Sequence, residues 1–321
     1  MSATSKFDRE KRLTALAELA RQRLAPTEAE LAQIFLGAYF HRVPSDDLAR
    51  LNPEALYASA LSHLDLARQR QPGQPLLRAY NPTETQAGGT NPHTVVEAVV
   101  DDMAFLVDSA SMVLNRLGYT IHLTIHPVLD VSRDNNGNLI ALNHRSADAR
   151  HESFLCFHIS RESRGERLDT IIYELTRVLS EVSAANTDDM AMGELALSLA
   201  HNLDSAHMPG DDETRSEAAA LCRWIAQENF TFLGAVRYEK SSDNDDLLSP
   251  KATSALGILR PRDGLDLIER LSVLPESTAA DLKDTDPVMI TKSSKRSLVH
   301  RPAYMDVLFV RHWNISGQLT G

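Results

Sequence analysis

One stretch of the chain constrains its fold more than any other. It reads VVEAVVDDMAFLVDSASMVLNRLGYTIHLTIHPV and covers residues 95–128. The valine-rich start is typical of a buried central strand. The next residues have apolar side chains at helical spacing, and Gly118 favours a left-handed helix end. Tyr119 to Arg133 is then predicted to form a long strand, so the stretch predicts strand, helix and strand in succession.

The residues that follow extend this pattern to a β-α-β-β-α unit. The predicted elements are a hairpin with a type I′ turn at DNNGN (134–138), strands near 139–142 and 153–160, and a helix begun by a Ser163–Glu166 capping box. An antiparallel sheet with two helices on one side is most of a ferredoxin-like unit. The last strand of that unit is missing, and Leu76–Tyr80 is the candidate to complete the sheet edge.

The predicted fold class is α+β, with four segments. They are a helical N-terminal lead-in at 1–75, a ferredoxin-like domain at 76–186, a helical linker at 187–216 and a second α+β domain at 217–321. Asn314 to Gly317 is predicted to form a hairpin turn, with only four residues after it. A hairpin without room for its second strand would leave an unpaired edge, so we expect a truncated second domain.

Charge and composition exclude several classes of function. The formal net charge is −11, which argues against nucleic acid or an anionic membrane surface as the main partner. No apolar run is long enough to span a membrane. The N-terminus has no signal-peptide pattern. The cysteines Cys156 and Cys222 lie in apolar segments without a CxxC motif, and they are interpreted as reduced core thiols of a cytoplasmic protein.

Three carboxylates lie around the predicted turn between the first strand and the first helix. Asp101, Asp102 and Asp108 are close to a helix N-terminus, which favours their ionised state. Helix capping with solvation is the simplest interpretation. A ligand site on the turn is the second hypothesis. Catalysis is the weakest, because a catalytic carboxylate pair needs environments that separate two pKa values.

The histidines give no metal site by their spacing. His122 and His126 share a strand face, but no third ligand has a convincing position nearby. His151 and His158 lie on opposite faces of their strand, so they cannot share a metal through that strand alone. Cys156 lies among large apolar residues, which disfavours a nucleophile. We therefore predict no metal ligand and no catalytic residue.

A basic stretch, TKSSKRSLVHRPAYMD at 291–306, stands out in this acidic chain. It contains Lys292, Lys295, Arg296 and Arg301. A solvated loop is the simpler interpretation, and docking of an anionic ligand or an acidic neighbouring domain is the alternative. The chain has neither a GxGxxG motif after a strand nor a P-loop motif. It resembles two binding or scaffold modules more than an enzyme.

Four stretches together resemble the N-terminal region of the large bacterial NAD-dependent glutamate dehydrogenases. They are residues 39–82 (YFHRVPSDDLARLNPEALYASALSHLDLARQRQPGQPLLRAYNP), 91–128, 230–234 (FTFLG) and 291–306. The chain departs from the family pattern at Ala104, where proline is usual, and at Ala303, where glycine is usual. The resemblance extends over nearly the whole chain from about residue 35.

The resemblance implies that this chain has a regulatory role and does not itself perform the oxidation. These enzymes oxidise L-glutamate with NAD and water to 2-oxoglutarate, ammonia and NADH, using a domain C-terminal to everything present here. Their N-terminal region contains ACT-like regulatory modules. The chain is therefore expected to be inactive alone, with no cofactor of its own and NAD only in the full-length family. Its expected partners are the rest of the dehydrogenase, further copies of itself and an amino-acid effector.

In ACT folds the first strand-to-helix turn often faces an effector or a domain interface. By resemblance, Asp101, Asp102, Met103 and Ala104 are the predicted effector or interface residues. Two alternatives stay open. One is a free-standing amino-acid-binding ACT regulator, and the other, weaker one is a degenerate fragment that folds poorly.

Overall fold

A computed structural model shows two compact units, Met1–Leu179 and Ser180–Gly321. It describes residues 3–50, 52–83, 92–143, 149–205, 211–240, 248–262, 264–265, 267–272, 286–314 and 316–321. Within these ranges no helix combines the length and the apolar character needed to cross a bilayer. The α+β class is confirmed, and the four predicted segment boundaries stay a prediction.

Four helices open the first unit. They are α1 (Ala3–Arg23), α2 (Pro26–Tyr39), α3 (Ser45–Arg50) and α4 (Pro53–Leu66). The prolines at the starts of α2 and α4 occupy a position where a missing N–H costs little. The Asn52 side chain accepts a hydrogen bond from the Ala55 N–H at 2.7 Å and caps α4. The helical lead-in predicted from the sequence is therefore present.

An antiparallel sheet follows. The elements are β1 (Leu76–Tyr80), β2 (His93–Asp101), α5 (Leu106–Arg116), β3 (Ile121–Ile125), β4 (Val128–Arg133), β5 (Leu139–Leu142), β6 (Arg150–Ser160) and α6 (Gly165–Ser205). The strand order is β1-β2-β6-β4-β5, and β3 also pairs with β6. The candidate edge strand Leu76–Tyr80 is β1, which pairs with β2. The edge strand thus comes before the β-α-β-β-α unit in the chain.

Three local predictions need correction. The long strand predicted over 119–133 is interrupted, since β3 ends at Ile125 and β4 begins at Val128, with Pro127 unable to donate a ladder hydrogen bond. Only Gly137 has a positive φ in the hairpin turn, whereas a type I′ turn needs two such residues. The Gly137 N–H donates to the Asp134 carbonyl at 2.9 Å, as in a type I turn followed by a left-handed glycine. Residues 187–203, predicted as a separate helix, continue α6.

Both faces of the sheet are covered. Every residue inside β2 is buried, although side chains alternate between the two faces. On one face a single hydrophobic cluster joins the N-terminal helices to β2 and β6, and its members include Leu16, Phe35, Tyr39, Leu64, Val95, Val99, Phe154 and Cys156. The rings of Phe35 and Phe154 meet edge to face at 5.2 Å between centroids. The N-terminal helices therefore share a core with the sheet.

The second unit contains the later part of α6 and smaller elements. These are α7 (Asp212–Trp224), β7 (Gly234–Ala235), β8 (Tyr238–Lys240), β9 (Leu248–Pro250), β10 (Leu256–Gly257), α8 (Leu267–Leu271), β11 (Val288–Arg296) and β12 (Tyr304–Val310). The strands pair as β7 with β10, β8 with β9 and β11 with β12. A core of Ala200, Leu203, Ala218, Ala219, Cys222 and Trp313 joins α6, α7 and the segment after β12.

The sequence of this unit also predicts strands over 230–239 and 298–300. The first is present only as the short β7 and β8, and the second is absent. The hairpin turn predicted at 314–317 is confirmed, because the Gly317 N–H donates to the Asn314 carbonyl at 3.0 Å. Trp313 then pairs with Leu319 across the turn.

Candidate functional site

The turn between β2 and α5 contains the four predicted effector or interface residues, Asp101, Asp102, Met103 and Ala104. Its conformation is set by Phe105, which has φ 70° and precedes the first helical residue. Phe105 makes no side-chain cap to α5. The prediction that Asp101 or Asp102 caps this helix is therefore wrong, because both aspartates lie too early in the chain and bind elsewhere.

The Asp101 carboxylate is held by the segment that follows α4. It accepts hydrogen bonds from Arg70 Nη1 at 2.9 Å and from the Gly73 N–H at 2.7 Å. Burial, the largest single influence, raises the pKa of Asp101. The Arg70 hydrogen bond and charge, together with the Gly73 N–H, outweigh it, so the pKa lies below its ordinary value. Asp101 is thus an ionised group with an internal partner.

The Asp102 carboxylate accepts a hydrogen bond from Ser153 Oγ at 2.5 Å, and Ser153 Oγ lies 3.0 Å from His126 Nε2. The three residue types match a hydrolase triad, but their order differs. In a triad the serine donates to histidine and the histidine donates to the acid. Here Ser153 donates to the acid and is fully buried. The arrangement fixes the turn against β6 and does not form an activated nucleophile.

A buried ion-pair network lies beneath the turn. Arg70 Nη1 contacts Glu152 Oε1 at 3.0 Å as well as Asp101. Arg133 pairs with the same Glu152. Both arginines also reach backbone carbonyls, since Arg70 Nε donates to Gln74 and Arg133 Nη1 donates to Ala67 and Gly137. This network was missed by sequence reasoning, because its members lie 19 to 82 positions apart.

A second buried polar cluster lies between the N-terminal helices and the sheet. Tyr39 Oη is 3.0 Å from His63 Nδ1, and His63 Nε2 is 3.2 Å from the Ala98 carbonyl. Burial lowers the pKa of His63 to about 3. Burial also raises the pKa of the neighbouring Cys156 thiol. Cys156 is therefore a protonated core thiol, as predicted.

His63, Glu97 and Cys156 place one ligand atom each within 4.8 Å of one another. Such a set could hold a metal only with free donor atoms. Both His63 nitrogens already have partners, and Glu97 accepts a 2.6 Å hydrogen bond from Arg78 Nε. The Arg78 cation would also repel a metal ion. These residues fit a buried hydrogen-bond network better than a metal centre.

The four histidines considered from the sequence separate into different surroundings. His126 contacts Ser153, and the exposed His151 pairs with Asp130 at 2.7 Å between Nδ1 and Oδ1. His122 lies at a strand irregularity between Ile121 and Leu123, where its ring contacts that of His93. His158 is buried on the same side as His93.

The four predicted basic residues have mixed surroundings. Lys292 Nζ pairs with Asp306 Oδ1 at 2.6 Å, and Lys295 Nζ donates to Ser272 Oγ at 2.9 Å. The Arg296 guanidinium lies 5.5 Å from the Tyr304 ring centroid. Lys292 and Arg301 line a cavity of about 1190 Å³ within the second unit. Lys292, Lys295 and Arg296 therefore have partners within the chain, and Lys292 and Arg301 line a space that could accept an anion.

The comparison with known proteins fits this architecture. The family of the glutamate dehydrogenase ACT1 domain matches residues 35–175. The match begins inside α2 and ends inside α6, so it contains the whole sheet and the turn after β2. The chain is similar to a segment of the NAD-specific glutamate dehydrogenases, consistent with their N-terminal region.

Relatives of known annotation agree with this assignment. The NAD-specific glutamate dehydrogenase of Halomonas elongata is 30% identical over 96% of this chain, and that of Pseudomonas aeruginosa is 30% identical over 99%. The enzyme of Mycobacterium tuberculosis is 25% identical over 73% of the chain. The alignments cover 20%, 20% and 15% of these relatives, respectively. The chain thus spans about a fifth of the length of the first two of these relatives.

Proposed function

We propose that this chain regulates and assembles an NAD-dependent glutamate dehydrogenase. The oxidation of L-glutamate by NAD and water, giving 2-oxoglutarate, ammonia and NADH, would be performed by parts of the protein outside this segment. One observation carries the proposal: an ACT1 domain match within a chain that covers a fifth of its dehydrogenase relatives. The two buried thiols, Cys156 and Cys222, support a cytoplasmic location.

The turn after β2 supports a docking role better than catalysis. Its two carboxylates bind Arg70, Gly73 and Ser153. The turn presents two exposed residues outward, Asp102 and Ala104, with the half-buried Met103 between them. A close-packed contact with an amino-acid effector or another protein surface suits such a turn. An effector acting there would be expected to supply about 1–3 kcal/mol of coupling.

Assembly into homo-oligomers is supported by an edge of the sheet. Ile140 lies on the edge strand β5 and is 63% exposed. An apolar side chain on an edge strand favours pairing with another strand. The basic residues of the second unit, Lys292 and Arg301 in particular, would dock an anionic ligand or an acidic surface of the dehydrogenase.

The size of the native polypeptide tests the proposal most directly. An immunoblot against this segment should show a band several times larger than 35.5 kDa. The purified 321-residue chain should not reduce NAD with glutamate. A native band at 35.5 kDa would instead favour the free-standing amino-acid-binding regulator.

A variant of the turn tests the regulatory role within the full-length dehydrogenase. Ala104→Arg places a long cation on the proposed docking surface. It should change either the oligomeric state in light-scattering chromatography or the response of activity to amino acids. Ala191→Arg, at an exposed position of α6, is the matched control. If both variants behave like the unmodified enzyme in both measurements, the turn is not the regulatory site.

For the free-standing regulator, ligand linkage provides the test. An amino acid present at 100 times its Kd should raise the free energy of unfolding by about 2.7 kcal/mol. The twenty amino acids can each be titrated while thermal unfolding is followed. A chain that is unaffected by all of them contradicts that alternative.

A further inference from the structure

The cavity of about 1190 Å³ within the second unit runs along one edge of β12. Every residue over 303–312 lines it, and so does every residue over 230–239, whereas β11 contributes Met289, Lys292 and Ser293. Side chains of a strand alternate between two faces. A strand that lines a cavity with all of its residues therefore turns an edge toward that cavity. The cavity is thus a groove beside the edge of β12 that faces away from β11.

The backbone of β12 has hydrogen-bonding groups on this edge. The Arg311 N–H donates to the Pro287 carbonyl at 3.0 Å, so these residues form a hydrogen-bonded pair of the β11–β12 ladder. Such pairs alternate with non-hydrogen-bonded pairs along an antiparallel ladder. Leu308 and Ile290, directly opposite each other and three positions away, therefore direct their N–H and C=O groups to the outer edges. Among the described residues β12 pairs with β11 alone, so its groove-facing edge is open.

One end of the groove already holds a single strand. The segment after the last hairpin turn is antiparallel to the end of β12, as the bridge between Trp313 and Leu319 shows. The His312 N–H donates to the Gly321 carbonyl at 2.8 Å. Gly321 also lies against the opposite wall, because a Cβ added to it would be 2.4 Å from the Tyr238 carbonyl oxygen. The two walls are therefore one strand apart at this end.

The floor of the groove defines which side chains such a strand would have. It is one face of α6, whose lining residues recur at helical spacing: Met192, Leu195, Ala196 and Leu199. All four are apolar. A strand above this floor would therefore have apolar side chains at alternate positions, directed toward α6.

The charges in the groove favour acidic residues in its occupant. Arg237 and Arg301 line the groove and form no ion pair within the described residues. Of the lining carboxylates, Glu239 and Asp306 already have lysine partners, which leaves Glu228. The groove thus has a surplus of positive charge in a chain whose net charge is −11. Carboxylates flanking the bound strand would complement it.

The dimensions favour a polypeptide strand over a small molecule. Pockets for small ligands are typically about 300–1,000 Å³, and this groove is larger. It follows a strand of seven residues, roughly 23 Å long at about 3.3 Å per residue. A two-stranded ribbon is marginally stable by itself, and a third strand stabilises it. Because the chain covers 20% of its first two relatives, a full-length dehydrogenase has ample polypeptide to supply that strand.

We propose that this groove receives a β-strand from the part of the dehydrogenase polypeptide outside residues 1–321. The strand pairs with the open edge of β12, places apolar side chains on α6 and has acidic flanking residues. Main-chain hydrogen bonds then join the second unit to the rest of the enzyme, as in other cases of strand addition. This inference rests on the proposed function, because it needs a dehydrogenase that contains this chain.

Hydrogen exchange of β12, followed by mass spectrometry, tests the inference. Its amides should exchange at least 10-fold more slowly in the full-length dehydrogenase than in the purified 321-residue chain. Leu308→Pro removes an N–H that faces the groove and leaves the β11–β12 ladder intact. In the full-length protein this variant should restore fast exchange in β12.

Ile290→Pro is the matched control. It removes the corresponding N–H from the outer edge of β11, where Ile290 is 58% exposed. This variant should leave the exchange of β12 in the full-length protein unchanged. In the purified chain the two proline variants should have similar melting temperatures, since neither breaks the ladder.

Three results would overturn the inference. The first is equal exchange of β12 in the full-length protein and in the purified chain. The second is an equal effect of Leu308→Pro and Ile290→Pro in the full-length protein. The third is protection of β12 in the purified chain that increases with concentration, which would assign the groove to a second copy. A native band of 35.5 kDa would overturn the proposed function as well, whereas the exchange results concern the groove alone.

Discussion

Arg133 donates two hydrogen bonds to Glu152, from Nε to Oε1 at 2.7 Å and from Nη2 to Oε2 at 2.8 Å. This two-pronged contact joins β4 to β6. Arg70 contacts the same carboxylate and links it to Asp101. Glu152 therefore holds two buried guanidinium groups beneath the turn that we propose as a regulatory surface.

Removing the charge of Glu152 should strongly destabilise the first unit. Glu152→Gln leaves Arg70 and Arg133 buried with one carboxylate fewer, and breaking a buried pair in this way costs about 3–5 kcal/mol. Urea unfolding followed by circular dichroism measures the change. The control is Arg68→Ala, which removes a half-exposed ion pair with Glu28 and should cost about 1 kcal/mol or less. Equal effects of the two variants would show that the network contributes little.

Two glycines with similar backbone angles should respond differently to alanine. Gly73 has φ 76° and open space where a Cβ would lie. Gly73→Ala should therefore lower the free energy of unfolding only by the cost of placing alanine in the left-handed conformation, about 1–2 kcal/mol. Gly137 has φ 82°, and its Cβ would lie 2.5 Å from the Arg70 carbonyl oxygen. Gly137→Ala should therefore cost clearly more in urea unfolding. A Gly137→Ala variant as stable as Gly73→Ala would contradict the close approach of this turn to Arg70.

Phe35 tests whether the N-terminal helices share the core of the sheet. Phe35→Ala removes a fully buried ring that contacts Phe154 on β6, and such truncations cost about 3–5 kcal/mol. The neighbouring Ile34 is partly exposed, so Ile34→Ala should cost much less. The informative measurement is hydrogen exchange of the β6 amides, which should accelerate in Phe35→Ala. Unchanged exchange in β6 would mean that the helices are an independent segment.

His63 should make the protein less stable in acid. Its pKa is about 3 in the folded chain against 6.5 in the unfolded chain. Between these pH values the unfolded chain binds more protons than the folded chain. The contribution of His63 to the free energy of unfolding is therefore complete above pH 6.5 and decreases as the pH falls toward 3. The slope is about 1.4 kcal/mol per pH unit for one proton.

A substitution separates this effect from the titration of carboxylates. His63→Gln keeps hydrogen-bonding capacity and cannot be protonated. Urea unfolding between pH 4 and 7.5 should show a shallower dependence on pH for this variant than for the unmodified chain. Superimposable slopes would mean that His63 does not resist protonation in the folded state.

Periodicity and turn chemistry were sufficient for the local elements of the first unit. The valine-rich β2, the amphipathic α5 and the hairpin glycine Gly137 all lie where the sequence places them. These signals work because they depend on neighbours within one or two turns of chain. The break between β3 and β4 at Pro127 has a local sequence signal that the interpretation of 119–133 as one strand overlooked.

The family resemblance was equally accessible, and the chain is 30% identical to two NAD-specific glutamate dehydrogenases. What it did not supply was the environment of Asp101 and Asp102. Both looked like helix caps, since carboxylates before a helix usually are. Their partners, Arg70 and Ser153, lie 31 and 51 positions away, and sequence spacing carries no information on such pairs.

The sequence by itself determined the α+β class, the β-α-β-β-α order and the resemblance to a dehydrogenase family. Each of these follows from patterns that neighbouring residues create or that relatives share. The tertiary structure alone decided that Glu152 binds two arginines. It also brought His93, His122 and His158 together. The physical reason is that antiparallel register, and one bulged residue in β3, set which distant side chains share a face.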